Sequence, residues 1–360
     1  MKILHIISSL EIGGAQKLIT DLLPLLKQKG CNVSLLVLKG IDCPFQKQLK
    51  DEGIIVYELG ISNYYSPLII IRLIPFLRKF DIIHAHLFPV LYWVAIASIF
   101  SKAMLIYTEH STNNKRRAKC WLRPIEKIVY NFYDKIISIS EQTDENLRIW
   151  LNADAGDSRF VIIDNGIKRE VFANAVSTLI FSNDKNNQKN RYLIMISRFT
   201  QAKDHETVIK SMKEVIDPFV HLLFVGSGDT LHREQELVNE LNLSDKIHFL
   251  GVRNDIPQLI KSSYIGIQSS NWEGFGLTAV ELMAGGIPVV ASNVEGLKQV
   301  IGGAGLLFER GNNKQLATIV NKLLSNQILY DDVKLKCMER SRKYDVITMV
   351  NKYLMVYKSL

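Results

Sequence analysis

Two carboxylates, Glu273 and Glu281, frame a glycine turn in the segment Asn271-Trp272-Glu273-Gly274-Phe275-Gly276-Leu277-Thr278-Ala279-Val280-Glu281. The residues from Leu277 onward favour a helix, so Gly274 to Gly276 is expected to be the loop that leads into it. A helix start offers unpaired backbone N–H groups and the positive end of a dipole, which suits an anionic ligand. Glycine at 274 and 276 lets such a ligand approach the backbone closely. Glu281 is expected about two turns into the helix, facing the same pocket from another height. Ordinary capping and turn chemistry would account for this segment in isolation. Other segments give it a context.

The stretch Ser197-Arg198-Phe199-Thr200-Gln201-Ala202-Lys203-Asp204-His205 follows an apolar run and precedes a helical one. Arg198 supplies a planar fork and Lys203 a compact charge, and the pair can converge on one diphosphate. A solvated surface pair is the plainer alternative. Near the start, Leu10-Glu11-Ile12-Gly13-Gly14-Ala15-Gln16 opens a helix with another glycine turn able to present N–H groups to phosphate. Its spacing fits neither a dinucleotide fingerprint nor a P-loop, and a tight structural turn explains it equally well. Val225-Gly226-Ser227-Gly228-Asp229 lacks the third glycine of a dinucleotide loop. Leu250-Gly251-Val252-Arg253 lines the same expected edge, where its backbone can hydrogen-bond a nucleobase. Thr108-Glu109-His110-Ser111 puts an imidazole at the end of another strand. His84 and His86 are spaced as a metal pair could be, but no third ligand of matching spacing stands out, and a metal site is the poorer reading.

These residues need strands to hold them. Apolar runs occur at 2–7, 33–38, 54–59, 81–85, 104–108, 135–139 and 160–163, and again at 192–197, 221–225, 247–250, 265–268, 288–291 and 305–308. Continuous apolar strands alternating with helical stretches indicate α/β architecture: parallel sheets covered on both faces. The polar stretch from Ser182 to Arg191 has no period and is the expected boundary between two doubly wound domains, 1–175 and 190–346. Ligands are then expected at the carboxyl ends of the strands, in a cleft between the domains. Residues 347–360 are amphipathic and helical in pattern.

At 360 residues, the chain suits two cores rather than one. Its net charge of +8 favours an anionic partner. The four cysteines, Cys31, Cys43, Cys120 and Cys337, have no metal-ligand spacing and read as reduced thiols of a cytoplasmic protein. Residues 1–9 suit a buried strand better than a secretory signal. Leu87 to Phe100, the most membrane-like run, stops well short of the ~20 residues of a span and reads as a buried helix.

Taken together, these segments resemble the retaining nucleotide-sugar glycosyltransferases of family 4, which have the GT-B fold of two facing Rossmann-like domains. The resemblance runs nearly end to end, through Gly13-Gly14-Ala15-Gln16, Asp81 to His86, His110, Ile139-Ser140, Asp164 to Ile167, Arg198 with Lys203, and Glu273 to Pro288. Its most specific part is the Glu-x7-Glu segment continued by Met283-Ala284-Gly285-Gly286-Ile287-Pro288.

The resemblance implies that Arg198 and Lys203 hold the donor diphosphate and stabilise its leaving charge, so that no metal and no cofactor is required. It implies donor contacts from Gly13, Gly14, Gly226, Gly251, Val252, Phe275, Gly276, Leu277 and Thr278. Glu281 takes the ribose, Glu273 the hydroxyls of the transferred sugar, and His110 the sugar as well. Asn165 lies at the crossing between domains, and the final helix returns to the first. The family more often has glycine where Ser197 and Asp204 stand, and Asp204 would bring a negative charge near the diphosphate unless it points away. With Glu273 on hydroxyls, no carboxylate is left as nucleophile, which favours front-face substitution over a covalent intermediate.

For the acceptor, Asn114 to Lys135 interleaves basic residues with Trp121, Tyr130, Phe132 and Tyr133, as a segment lying on an anionic membrane would. Arg72, Arg78 and Lys79, with their apolar neighbours, extend that surface. Nucleic acid is a second reading, which no nucleic-acid module accompanies, and a solvated helix with its aromatics in the core is a third. The expected acceptor is a polyprenyl-diphosphate-linked glycan of capsule, exopolysaccharide or O-antigen assembly, and the expected place is the inner face of the cytoplasmic membrane. A UDP-sugar is the preferred donor. The rival readings are a nucleotide-sugar epimerase of the same fold and a non-catalytic sugar-nucleotide-binding subunit; a dehydrogenase lacks its fingerprint.

Overall fold

The computed structural model describes residues 1–11, 13–40, 43–61, 63–112, 114–178 and 190–360. These residues divide into two units, Met1–Gly166 with Val346–Leu360, and Ile167–Asp345.

The first unit contains β1 (Lys2–Ile7), β2 (Asn32–Val37), β3 (Ile55–Glu58), β4 (Ile82–His86), β5 (Met104–Glu109), β6 (Lys135–Ser138) and β7 (Phe160–Ile162). They form one parallel sheet in the order β3-β2-β1-β4-β5-β6-β7. The central strands are buried along almost their whole length, which is why they read as mostly apolar runs, interrupted by His5, His84 and His86, rather than as apolar–polar alternation. The order reverses between β1 and β4, where Ile3 faces Ile82 and His5 faces His84.

The second unit contains β8 (Arg191–Ile196), β9 (Val220–Val225), β10 (Ile247–Phe249), β11 (Ile265–Gln268), β12 (Val289–Ser292) and β13 (Leu306–Phe308). Its sheet is also parallel, in the order β10-β9-β8-β11-β12-β13. Here the reversal lies between β8 and β11. Each unit is therefore a doubly wound α/β body of the Rossmann type, and each has a switch point at which ligands of such sheets gather.

The chain passes from the first unit to the second at Gly166–Ile167, not within the polar stretch expected to mark the boundary. Residues 182–189 of that stretch lie outside the described residues. Polarity marks exposed chain, whereas the partition follows packing: the helix Arg169–Ala173 buries Phe172, and Lys261 reaches the carbonyl of Ala173 at 3.3 Å. The chain returns after Asp345, and the two crossings are joined where Ile167 donates to the Tyr344 carbonyl at 2.9 Å.

The last helix, Val346–Lys358, belongs to the first unit. Val346, Met349, Val350, Tyr353, Val356 and Tyr357 share one face and are buried with Leu18, Leu22 and Leu26 of the helix Gly14–Gln28. Transfer of such side chains from water is worth about 1.5–3 kcal/mol each, enough to hold a helix that is separated in sequence from the rest of its unit. Among the described residues, no helix is long and apolar enough to cross a membrane. Leu87–Phe100 resolves into the helix Val90–Ser98, whose buried face is Val90, Leu91, Val94, Ala95 and Ala97.

Candidate functional site

In the second unit, Arg198 and Lys203 follow β8, and Glu273 lies beyond β11, its neighbour in the sheet. Backbone pairing brings the two loops together. Asp204 N donates to Ser269 O at 3.1 Å and Asn271 N to Ala202 O at 2.8 Å, so residues 202–204 run antiparallel to 269–271. Ser292, at the end of β12, clamps the second loop by accepting from Ser270 N and donating to Ser270 O. The result is direct contact between Lys203 Nζ and a Glu273 carboxylate oxygen, with Ser270 Oγ 3.2 Å from the same Nζ.

Glu273 also receives the Gly274 N–H, at 3.1 Å. Burial is the largest influence on this carboxyl and would raise its pKa. The Lys203 charge and hydrogen bond, with the N–H groups of Gly274 and Phe275, outweigh it and hold Glu273 below the usual carboxylate range. Glu273 is thus a fixed, charged acceptor at the mouth of a helix. Arg198 is exposed and makes no hydrogen bond or ion pair with another described residue.

Asp204 does not bring its charge to this group. Its carboxylate caps the helix His205–Ser211 by accepting from Thr207 N at 3.2 Å. His205 stacks on Phe199 with ring centroids 4.1 Å apart and meets Ser197 Oγ at 2.8 Å, which fixes the loop carrying Arg198.

The helix after the glycine turn is Leu277–Ala284, and Gly276 caps it with φ 91°, a left-handed conformation that favours glycine. A Cβ on Gly276 would stand 2.6 Å from Leu297. Phe275 is buried against Tyr344, ring centroids 5.3 Å apart, so its side chain anchors the turn. Leu277 and Thr278 form the exposed-side start of the helix. Glu281 is the fifth residue of the helix, about one turn in rather than the two expected, because four residues from Leu277 make little more than one turn. Its side chain is buried.

Gly226, Gly251 and Val252 follow β9 and β10 on the same edge. Gly226 N donates to Gly251 O at 2.8 Å, and Phe199 N to Ser227 O at 3.0 Å, so these loops are bonded to one another and to the Arg198 loop. A Cβ on Gly226 would lie 2.0 Å from the Ser197 carbonyl oxygen, a packing reason for this glycine beside any ligand role. Val252 is exposed.

In the first unit, Gly13 precedes the helix Gly14–Gln28 and caps it without a side chain; Ile12 of that turn lies outside the described residues. Asn165 stands just before the crossing at Gly166, buried, with its Oδ1 unpartnered. His110 follows β5 and is partly exposed, with Nε2 3.0 Å from His86 Nδ1. Burial among its neighbours lowers its pKa to about 3, so it is neutral at physiological pH.

Sequence reasoning saw no third partner for His84 and His86, and here the structure corrects it. His5 joins them, and the three rings bring candidate ligand atoms within 4.8 Å of one another. The signal was a lone polar residue within the apolar run 3–7 of the strand Lys2–Ile7.

The basic and aromatic segment 114–135 also divides differently from the expectation. Tyr130 and Tyr133 are core residues. Arg116 pairs with buried Glu126 at 2.7 Å and Arg117 with buried Glu109 at 3.3 Å, because carboxylates taken from water need counter-charges. Arg123 spends its guanidinium on the Ile149 and Trp150 carbonyls. Arg72 and Arg78 likewise bond the carbonyls of Leu59 and Phe100. Trp121, Ile125, Ile128 and Phe132 are exposed, at helical spacing on and just beyond the helix Leu122–Tyr130, and Lys119 is exposed beside them.

Comparison with known proteins places this geometry. A family model described as glycosyl transferases group 1 matches residues 176–343, and one described as glycosyltransferase family 4 matches residues 12–171. An uncharacterised 41.2 kDa protein of the cps region of Klebsiella pneumoniae is 28% identical, over 81% of this chain and 82% of its own length. Phosphatidyl-myo-inositol mannosyltransferase of Mycobacterium leprae is 24% identical, over 97% of this chain and 93% of its own. Among solved structures, Anabaena HepE in complex with UDP and glucose superposes with a TM-score of 0.87 at 22% identity, covering both chains completely.

Proposed function

Because this chain belongs to the family 4 glycosyltransferases, in group 1 and of the GT-B fold, we propose that it moves a hexose or N-acetylhexosamine from a nucleoside diphosphate sugar to a lipid-linked glycan. The observation that carries this reading is the group formed by Lys203, Glu273 and the Gly274 N–H at the start of the helix Leu277–Ala284. Arg198 stands on the same strand-end edge with its charge uncommitted. Two cations, Lys203 held in place and Arg198 uncommitted, suit a departing diphosphate and would make a metal unnecessary to neutralise it. A charged, immobile Glu273 suits hydroxyls of the sugar. Since Glu273 is held by Lys203 and backbone N–H groups, it is a weak nucleophile, which favours retention by front-face attack over a covalent intermediate. Gly14 and His110 keep the donor contacts that the family resemblance implies.

UDP is the nucleotide we favour, and the UDP complex of the structural neighbour supports it. A polyprenyl-diphosphate-linked glycan of capsule, exopolysaccharide or O-antigen synthesis is the acceptor we favour, supported by the cps-region relative. The exposed ridge Trp121, Ile125, Ile128 and Phe132 supports a peripheral place on the inner face of the cytoplasmic membrane, through apolar insertion more than through basic residues.

A panel of nucleotide sugars, assayed by nucleotide release with and without membrane extract, tests the proposal. Release that depends on one donor and on the extract is expected. Donor interconversion without acceptor would favour an epimerase, and no turnover of any donor would favour a binding subunit. A glycosyl-enzyme adduct trapped by mass spectrometry would overturn the front-face route.

A further inference from the structure

Four of the chain's eight histidines stand in one hydrogen-bonded file. Thr108 Oγ1 lies 2.7 Å from His84 Nε2, and His84 Nδ1 lies 2.8 Å from the Tyr357 hydroxyl. That hydroxyl is 3.2 Å from His5 Nε2. His5 Nδ1 is 2.9 Å from His86 Nε2, and His86 Nδ1 is 3.0 Å from His110 Nε2. The sheet register produces the file: His5 is opposite His84 between β1 and β4, and His86 is opposite Thr108 between β4 and β5. Tyr357 comes from the returning helix Val346–Lys358.

The interior of this file is buried. His5, His84 and His86 are fully buried, and Tyr357 is 1% exposed. Burial brings His5 to about 3 and pushes His84 and His86 well below the ordinary imidazole value, so the rings are neutral. A neutral imidazole has one N–H and one bare nitrogen. If Thr108 donates to His84 Nε2, the His84 proton sits on Nδ1 and is donated to Tyr357. Tyr357 then donates to His5 Nε2, His5 Nδ1 to His86 Nε2, and His86 Nδ1 to His110 Nε2. Every ring carries its proton on Nδ1. Reversing the first bond reverses all of them, and every ring carries it on Nε2. A mismatch among His5, His86 and His110 leaves two N–H groups or two bare nitrogens face to face away from water, and a mismatch across Tyr357, whose oxygen can accept two N–H groups, leaves its O–H or one ring nitrogen without a partner in the file.

We propose that His5, His84, His86 and His110 share one tautomer, and that His5, His86 and Tyr357 are positioning residues that set what His110 Nδ1 presents. In the first state that atom donates, as a phosphate or carbonyl oxygen would need; in the second it accepts, as a sugar hydroxyl would need. The ligand part of this inference rests on the donor role proposed for His110, whereas the common tautomer does not. His5, His84 and His86 could also surround a metal ion, but all six of their ring nitrogens already take part in hydrogen bonds, which an ion would have to break.

Long-range proton–nitrogen NMR of the full chain labelled with 15N-histidine reads the tautomers, with resonances assigned through single replacements that include His110→Asn. Four neutral rings with the same nitrogen bare, or the same average in each, are expected between about pH 5 and about pH 8. Tyr357→Phe removes the link between His84 and His5; the His84 nitrogens are expected to shift while the other three rings stay matched. If that variant fails to fold, the unaltered protein alone decides. Opposite tautomers among the four, an imidazolium in that pH range, or His84 nitrogens unmoved by Tyr357→Phe overturn the proposal. So does stoichiometric uptake of added zinc by His5, His84 and His86. None of these readouts needs turnover, so the inference and the proposed transfer fail separately.

Discussion

Lys203 Nζ and the Glu273 carboxylate are in direct contact although 70 positions separate them, and both side chains are 18% exposed. Each therefore limits where the other can go. Under the proposed roles, a diphosphate at Lys203 would meet an ammonium already oriented, and a hydroxyl at Glu273 a carboxylate already charged.

This pairing separates structure from catalysis. Lys203→Met leaves Glu273 a largely buried charge without its cation and is expected to lower unfolding stability by about 1–3 kcal/mol, less than for a fully buried pair. Adding Glu273→Gln is expected to restore most of that stability in urea unfolding while transfer stays abolished. Restored transfer in the double variant would mean that neither residue touches the reaction.

Arg198 has no such structural partner among the described residues. Arg198→Met is expected to leave the unfolding midpoint unchanged and to reduce kcat by roughly 100- to 1000-fold, the usual consequence of removing a charge that stabilises a leaving group. Chelators are expected to leave the rate of the unaltered enzyme as it was. A rate abolished by chelation would put a metal where the two cations are proposed to act.

Buried neutral imidazoles make stability depend on pH with a defined sign. His5 and His110 have folded values of about 3, below the ~6.5 of an unfolded chain. Their contribution is fully present above about pH 6.5 and is lost as pH falls towards 3, because the unfolded chain takes up protons first. Each neutral ring contributes up to about 1.4 kcal/mol per pH unit in that window. Urea midpoints measured from about pH 7 down to about pH 5 should fall accordingly, and a stability independent of pH in that range would contradict the burial of these rings.

Two glycines on one edge are expected to respond differently to alanine. Gly226 has φ 137° and no room for a Cβ, which would meet a backbone oxygen at 2.0 Å. Gly251 has φ 65° and nothing within 4 Å. Gly251→Ala is expected to cost about 1–2 kcal/mol, the strain of the left-handed region. Gly226→Ala is expected to cost more, because the loops after β8 and β9 must part. Equal unfolding midpoints would show that the loops can move freely.

The apolar ridge makes a prediction that leaves chemistry untouched. Ile125→Asp with Ile128→Asp is expected to abolish sedimentation with anionic vesicles, since burying each isoleucine is worth about 1.5–3 kcal/mol. Nucleotide release in detergent should stay the same. Binding that persists in the double variant would place the membrane contact elsewhere, or nowhere.

Residue order alone determined the places of the thirteen strands found among the described residues, because central strands buried on both faces are mostly apolar and the rest keep enough of that pattern to stand out from the helical stretches. It also determined the glycine turn before the helix Leu277–Ala284, since only glycine tolerates the backbone at Gly276. Tertiary structure decided the partners. Residue types do not encode that Arg116 and Arg117 neutralise Glu126 and Glu109 rather than face a membrane. They do not encode that His5, whose neighbours in sequence are all apolar, completes a file with His84, His86 and His110. Such pairings are set by strand order and register, which bring together side chains distant in sequence. A periodic pattern fixes which face a residue takes, and not which residue it will meet there.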